Sequence, residues 1–170
     1  MRFVKLSLTF WLILTTPAVA AELTFPQEES LPPEVRQVFS RNHLDQAYSF
    51  SSHLNPFYIQ GDFNGDGRLD TAVLVQSRSS NKIGIAVFHA GGNQVFILGA
   101  GNRIPGAGKN DTFDWMDAWY TYRRGRVRRG ADETKPPVLR GDALHVEKTE
   151  SASAIIYWDG STYRWYQQGD

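Results

Sequence analysis

Asp62-Phe63-Asn64-Gly65-Asp66-Gly67-Arg68-Leu69-Asp70 places oxygen-bearing side chains at positions 1, 3, 5 and 9 of a nine-residue stretch, with glycine at position 6. Glycine adopts the positive φ that a sharp turn requires, and a tight loop can then aim alternate side chains at one point. Asp62, Asn64, Asp66 and Asp70, with the carbonyl of Arg68 at position 7, are therefore candidate ligands for a hard cation. Calcium takes six to eight oxygens at roughly 2.3 to 2.6 Å, and a loop of this spacing offers oxygens alone. Residues 55–61 before the loop and 69–76 after it are rich in β-branched and aromatic types, so strands flank it and the loop closes a β-hairpin.

EF-hands and dockerins share the spacing but add an acidic ligand at position 12, where this chain has Val73. Residues 61–73, Gly-Asp-Phe-Asn-Gly-Asp-Gly-Arg-Leu-Asp-Thr-Ala-Val, instead resemble the FG-GAP or VCBS repeat. Its hairpin loops bind calcium in the integrin α-subunit propeller and in many bacterial surface proteins. The resemblance implies that Asp62, Asn64, Asp66 and Asp70, with the Arg68 carbonyl, hold Ca²⁺. That family more often has Asp at position 3, so Asn64 removes one negative charge and weakens binding. The resemblance covers about 30 residues and occurs once. A propeller of four to eight blades of about 40 residues each does not fit the chain. The competing reading is that Asp, Asn and Gly are simply turn formers. Asp70, already inside the next strand, is the residue that a plain turn does not require.

The first 20 residues carry Arg2 and Lys5, an apolar run over 6–14 and the small residues Ala18-Val19-Ala20, the pattern of a cleavable secretory signal peptide. The apolar run is shorter than the roughly 20 residues of a membrane span. The expectation is a periplasmic or secreted protein with one domain over residues 21–170. Without that leader the chain holds 16 basic and 18 acidic residues, so bulk charge names no partner. There are no cysteines, hence no disulfides and no lipid-modified cysteine at the cleavage site.

Residues 32–41 read as a short helix, with Pro33 suited to a first turn and Val35, Val38 and Phe39 forming one apolar stripe. Strands are expected over 69–76, 82–89, 95–98, 143–148, 154–158 and 162–167, with Asp159-Gly160 turning the last hairpin. Aromatic rings crowd both faces of that hairpin, so one face is expected in the core and the other partly exposed. Residues 99–141 read as a long excursion. The expected fold is α+β, mainly β: a single antiparallel sheet or meander with a short N-terminal helix against it.

Arg123, Arg124, Arg126, Arg128 and Arg129 put five arginines in seven residues, a candidate site for an anionic partner or a solvated loop balanced by Asp132 and Glu133. The run lacks the organised basic helix or basic-aromatic pattern of a nucleic-acid surface, and nucleic acid is not an expected partner. Gly106-Ala107-Gly108-Lys109-Asn110 is not a phosphate loop, because Arg103 and Asn110 stand where Gly and Ser or Thr are needed. Arg140-Gly141-Asp142 matches an adhesive tripeptide but reads as a turn. The four histidines lack metal-protease spacing, and no nucleophile elbow is present. The sequence favours a non-enzymatic calcium-binding module in which the ion locks the hairpin loop and the domain presents a surface to an extracytoplasmic protein or glycan. Two alternatives stand beside it: an interaction or inhibitor protein working through the arginine run or the C-terminal aromatic hairpin, and a small glycoside hydrolase.

Overall fold

The computed structural model describes residues 27–130 and 135–169. The leader read over residues 1–20, and the acidic residues Asp132 and Glu133, lie outside the described residues. After a single helical turn, α1 (Gln27–Ser30), the helix α2 spans Pro33–Arg41. Proline opens α2 where its missing N–H costs nothing, Glu34 sits in the positive first turn and Arg41 in the negative last turn. His43 then takes a left-handed conformation, at φ 55°, and the chain turns through a short 3₁₀ segment, Leu44–Gln46, into the strands.

Among the described residues nine strands follow: β1 (Tyr48–Phe50), β2 (Tyr58–Gly61), β3 (Asp70–Ser77), β4 (Ile83–Phe88), β5 (Val95–Gly99), β6 (Ala118–Tyr122), β7 (Ala143–Lys148), β8 (Ala152–Trp158) and β9 (Tyr163–Gly169). They form two antiparallel sheets, where a single sheet was expected. In the first, β1 and β2 share one edge of β3, followed by β4 and β5. The two short strands act as one interrupted strand. Leu74 keeps both backbone partners across the gap, accepting from Ser51 N–H and donating to the Phe57 carbonyl. The second sheet runs β6-β7-β8-β9.

Alternation along each strand explains why there are two layers and not one. In β3, Ala72 and Leu74 point to one side while Val73 and Val75 point to the other, and β4 repeats the pattern with Ile85 and Val87 against Ala86 and Phe88. Val73, Val75, Ala86 and Phe88 lie beneath Leu31, Val35 and Phe39 of the helical segment. A helix of nine residues covers one face only. The opposite face needs a second apolar surface, which Trp119, Leu144, Val146, Ala154, Ile156 and Tyr163 of the second sheet supply.

The expected excursion over 99–141 thus contains a strand and a share of the core. Phe113, Met116 and Trp119 are buried in it, and β6 pairs with β7 from Ala118↔Glu147 to Tyr122↔Ala143. Trp119, Tyr120, Thr121 and Tyr122 are all strand-favouring types, a local signal passed over beside the acidic residues before it, while the partner strand about 25 residues downstream is invisible to local patterning. The last hairpin pairs as expected, closed by Asp159 N–H to the Thr162 carbonyl at 3.0 Å. Its outer face is partly exposed, as expected: Val127 and Leu139 pack on Ala143, Ile155 and Tyr166, while Tyr157 is half-buried and Arg164 exposed.

On that outer face His145 of β7 stacks on Tyr120, with ring centroids 4.4 Å apart and 17° between planes. Its Nε2 lies 3.2 Å from Glu147 Oε2, while Nδ1 is buried without a partner. Burial pushes the imidazole pKa below 6.5, an effect that the Glu147 carboxylate only partly offsets. The unfolded chain therefore takes up this proton before the folded one does. Stability contributed by the neutral ring is complete above the unfolded pKa and is lost as pH falls through the folded value. His89 has the same sign. The melting temperature is expected to fall as pH drops from 6.5. His145→Phe, which keeps the stack and removes the proton site, should flatten part of that slope; an unchanged slope would remove His145 from the account.

Candidate functional site

Gly61 pairs with Asp70 across β2 and β3, which fixes residues 62–69 as the hairpin loop. All four candidate side chains bond to the loop's own backbone or to one another. Asp62 Oδ1 accepts from Gly65 N–H at 2.8 Å and Oδ2 from Gly67 N–H at 3.0 Å. Asn64 Oδ1 accepts from Asp66 N–H at 2.9 Å, and its Nδ2 donates to Asp66 Oδ2. Asp66 Oδ1 accepts from Arg68 N–H at 2.9 Å, and this bond, followed by the one from Asn64, lowers the Asp66 pKa. Gly65 and Gly67 have φ of 79° and 85°, and an added Cβ on Gly67 would meet nothing, so position 6 needs glycine for its backbone conformation alone.

Asp70 differs from the others because it is wholly removed from solvent. Its Oδ2 accepts from Phe63 N–H at 2.9 Å and Asn64 N–H at 3.2 Å, and its Oδ1 from Ala90 N–H at 2.8 Å. Burial raises its pKa, against the opposing pull of these N–H bonds. Position 9, the one a plain turn does not require, has a structural task of its own: it fastens both ends of the loop to Ala90, two residues past β4. Phe63, between Asp62 and Asn64, inserts fully into the inter-sheet core.

A second aspartate, which the sequence reading assigned to a turn, completes the frame. Asp142 N–H donates to the Asp62 carbonyl at 2.7 Å, and Asp62 N–H donates to Asp142 Oδ2 at 3.2 Å. Asp142 also accepts from Arg124 N–H at 2.8 Å and from the Arg123 guanidinium at 3.0 Å. The loop and residues 140–142 touch backbone to backbone, since a Cβ on Gly141 would lie 2.1 Å from the Asp62 carbonyl oxygen. The Arg140-Gly141-Asp142 tripeptide is therefore framework, with its aspartate buried. The only sequence signal for this role was a glycine beside an acid.

No ion pair reaches Asp62, Asp66 or Asp70 among the described residues, whereas Asp111, Asp117, Asp142 and Asp159 each pair with a lysine or arginine. Nor, among the described residues, do three acidic or histidine side chains close on a common point as a ready metal cluster. The donor set is nevertheless one of oxygens throughout, although Asp70 Oδ2 already accepts two N–H bonds. It contains only hard oxygens, and a carboxylate oxygen that accepts one N–H retains a second lone pair.

The arginine run follows β6 and covers the second sheet. Arg123, Arg124, Arg126, Arg128 and Arg129 are exposed, but Arg123 is tied to Asp142 and the intervening Val127 is buried. Five of the concavities on the surface have no pair of carboxylates among the described residues that line them, so the glycosidase alternative gains no support from these five. Among the described residues no helix is long and apolar enough to cross a membrane. Comparison with protein-family models, with curated proteins and with solved structures found no match, so the likeness of the loop to a calcium-binding repeat rests on its own residues.

The Asp70 clamp is directly testable. Asp70→Asn keeps the volume but turns an amide N–H toward a backbone N–H, leaving a buried donor unsatisfied at a cost of about 1–3 kcal/mol. Asp66→Asn, at an exposed position, should change stability by no more than about 0.5 kcal/mol. Urea unfolding in the presence of a chelator compares the two; equal midpoints would show that the buried carboxylate does not hold the loop.

Proposed function

We propose that the protein is an extracytoplasmic, non-enzymatic calcium-binding module whose hairpin loop takes one Ca²⁺ for stability and whose remaining surface serves a protein or glycan partner. The observation that carries this reading is the electrostatics of residues 62–70: three aspartates in one loop, held in place by backbone N–H bonds and without an ion-pair partner among the described residues. Asp62, Asn64, Asp66 and Asp70, with the Arg68 carbonyl, would hold the ion. Its contribution would be two positive charges that relieve repulsion among the carboxylates.

The N–H bonds and the insertion of Phe63 close the loop by themselves, so the ion adds to a fold that exists without it. With only three carboxylates, affinity falls in the weak range of roughly 10⁻⁴ to 10⁻³ M that suits extracellular modules. At a Kd of about 0.1 mM, 1 mM calcium adds about 1.4 kcal/mol. That corresponds to a rise of a few degrees in melting temperature.

Titration calorimetry should find one site per chain, and calcium should raise the melting temperature of the native protein over that in chelator. Asp66→Ala should remove that rise while leaving the fold intact. A melting shift of equal size in Asp66→Ala would put the ion elsewhere. Absence of heat up to about 10 mM calcium, enough to saturate a site of this class, would leave the loop a hydrogen-bonded turn.

A further inference from the structure

Where β8 begins and β9 ends, the chain encloses a cleft of about 420 Å³. Two half-buried indoles form its apolar part, Trp115 from the segment before β6 and Trp165 from β9. They cross at 68° with centroids 6.2 Å apart, and the buried Phe113 stacks behind Trp165 at 27°. Both indole N–H groups are committed inside the protein, Trp115 to the Thr112 carbonyl at 2.9 Å and Trp165 to Gln167 Oε1 at 3.0 Å. These bonds fix the rings, and the surface that the half-buried indoles leave on the cleft wall is hydrocarbon.

The facing wall is the glycine-rich stretch 106–108. Gly106 has φ of 95°, and a Cβ there would lie 2.6 Å from the Trp165 carbonyl oxygen, so the loop can approach β9 this closely only with glycine. Trp165 N–H donates to the Pro105 carbonyl at 2.8 Å. That bond occupies the free edge of β9 at this point, which blocks a peptide from adding there as a strand. The polar groups of the cleft are uncharged: Asn110, whose Oδ1 accepts from Thr112 N–H and whose amide N–H₂ remains to donate, the Ser153 hydroxyl, and Gln167. In a protein with 21% charged residues, no charged side chain among the described residues lines this cleft.

A ligand matched to this surface has flat C–H faces for the indoles, hydroxyls for an amide and a serine, and no net charge. We propose that the cleft binds a neutral oligosaccharide, with Trp115 and Trp165 stacking on sugar rings and Asn110 and Ser153 hydrogen-bonding to their hydroxyls. This names the ligand of the partner surface in the function proposed above and rests on that reading for the extracytoplasmic setting alone. The cleft shares no residue with the 62–70 loop.

The test titrates cellohexaose, chitohexaose, xylohexaose and maltohexaose into the purified protein, once with calcium and once with chelator, reading calorimetric heat and tryptophan fluorescence. At least one of the four should bind with similar affinity in both buffers. Trp115→Ala and Trp165→Ala should each weaken that binding about tenfold or more, as expected on truncating a central aromatic contact. Asn110→Ala removes no core volume and keeps the test decisive if a tryptophan variant does not fold; it too should weaken binding. Sugar binding without any calcium heat would sink the ion reading and leave the cleft standing. Calcium heat without sugar binding up to about 10 mM, weaker than the millimolar limit of specific recognition, would overturn the cleft alone. Binding that is unchanged in both Trp115→Ala and Asn110→Ala would overturn it as well. So would a heparin hexasaccharide binding where the neutral sugars do not, with loss in Arg128→Glu, since that places the partner on the arginine run.

Discussion

The Asp70 carboxylate is withdrawn from solvent and accepts backbone N–H bonds from Phe63, Asn64 and Ala90. Withdrawing an ionised carboxylate from water is costly unless its oxygens are hydrogen-bonded, and three donors are what makes this position tolerable. The bonds decide more than the loop. They draw Phe63 into the space between the sheets and join the start of β3 to Ala90, two residues past β4. Asp62 then exchanges hydrogen bonds with Asp142, which sets the start of β7 in the second sheet against the first. The loop is thus where the two layers are fastened together, and an ion there would reinforce an existing joint.

The layers meet because β3 and β4 are apolar on both faces. Strands with that pattern need cover twice, and the nine residues of α2 provide it once. The second sheet repeats the problem on its far side, where Ile155, Ala143 and Tyr166 lie under Val127 and Leu139. The arginines around Val127 are consistent with this role, because a covering segment must be apolar at its point of contact and solvated elsewhere. The two surfaces that remain distinctive have opposite characters. Among the described residues, no ion pair reaches the aspartates of the 62–70 loop, whereas no charged side chain lines the cleft of Trp115 and Trp165.

Much of this was legible in the residues alone. Positions 62, 64, 66 and 70 announced a turn lined with oxygens, flanking β-branched residues announced strands, and Val35, Val38 and Phe39 announced the helix stripe, because each signal depends on neighbours within a few positions. The sequence also determined the chemistry on offer: oxygen donors without thiols, and aromatic rings without cysteine cross-links. Tertiary structure alone decided the rest. It made Asp70 a clamp, since its third donor, Ala90 N–H, lies 20 residues away. It turned Asp142 from a turn residue into the partner of Asp62, 80 residues distant. It drew β6 out of an apparent excursion to pair with β7, and it brought Trp115, Trp165 and Gly106 around one cleft. Hydrogen bonds and ring contacts depend on distance in space, and a chain that folds into two stacked sheets brings together residues whose separation in sequence carries no local sign of it.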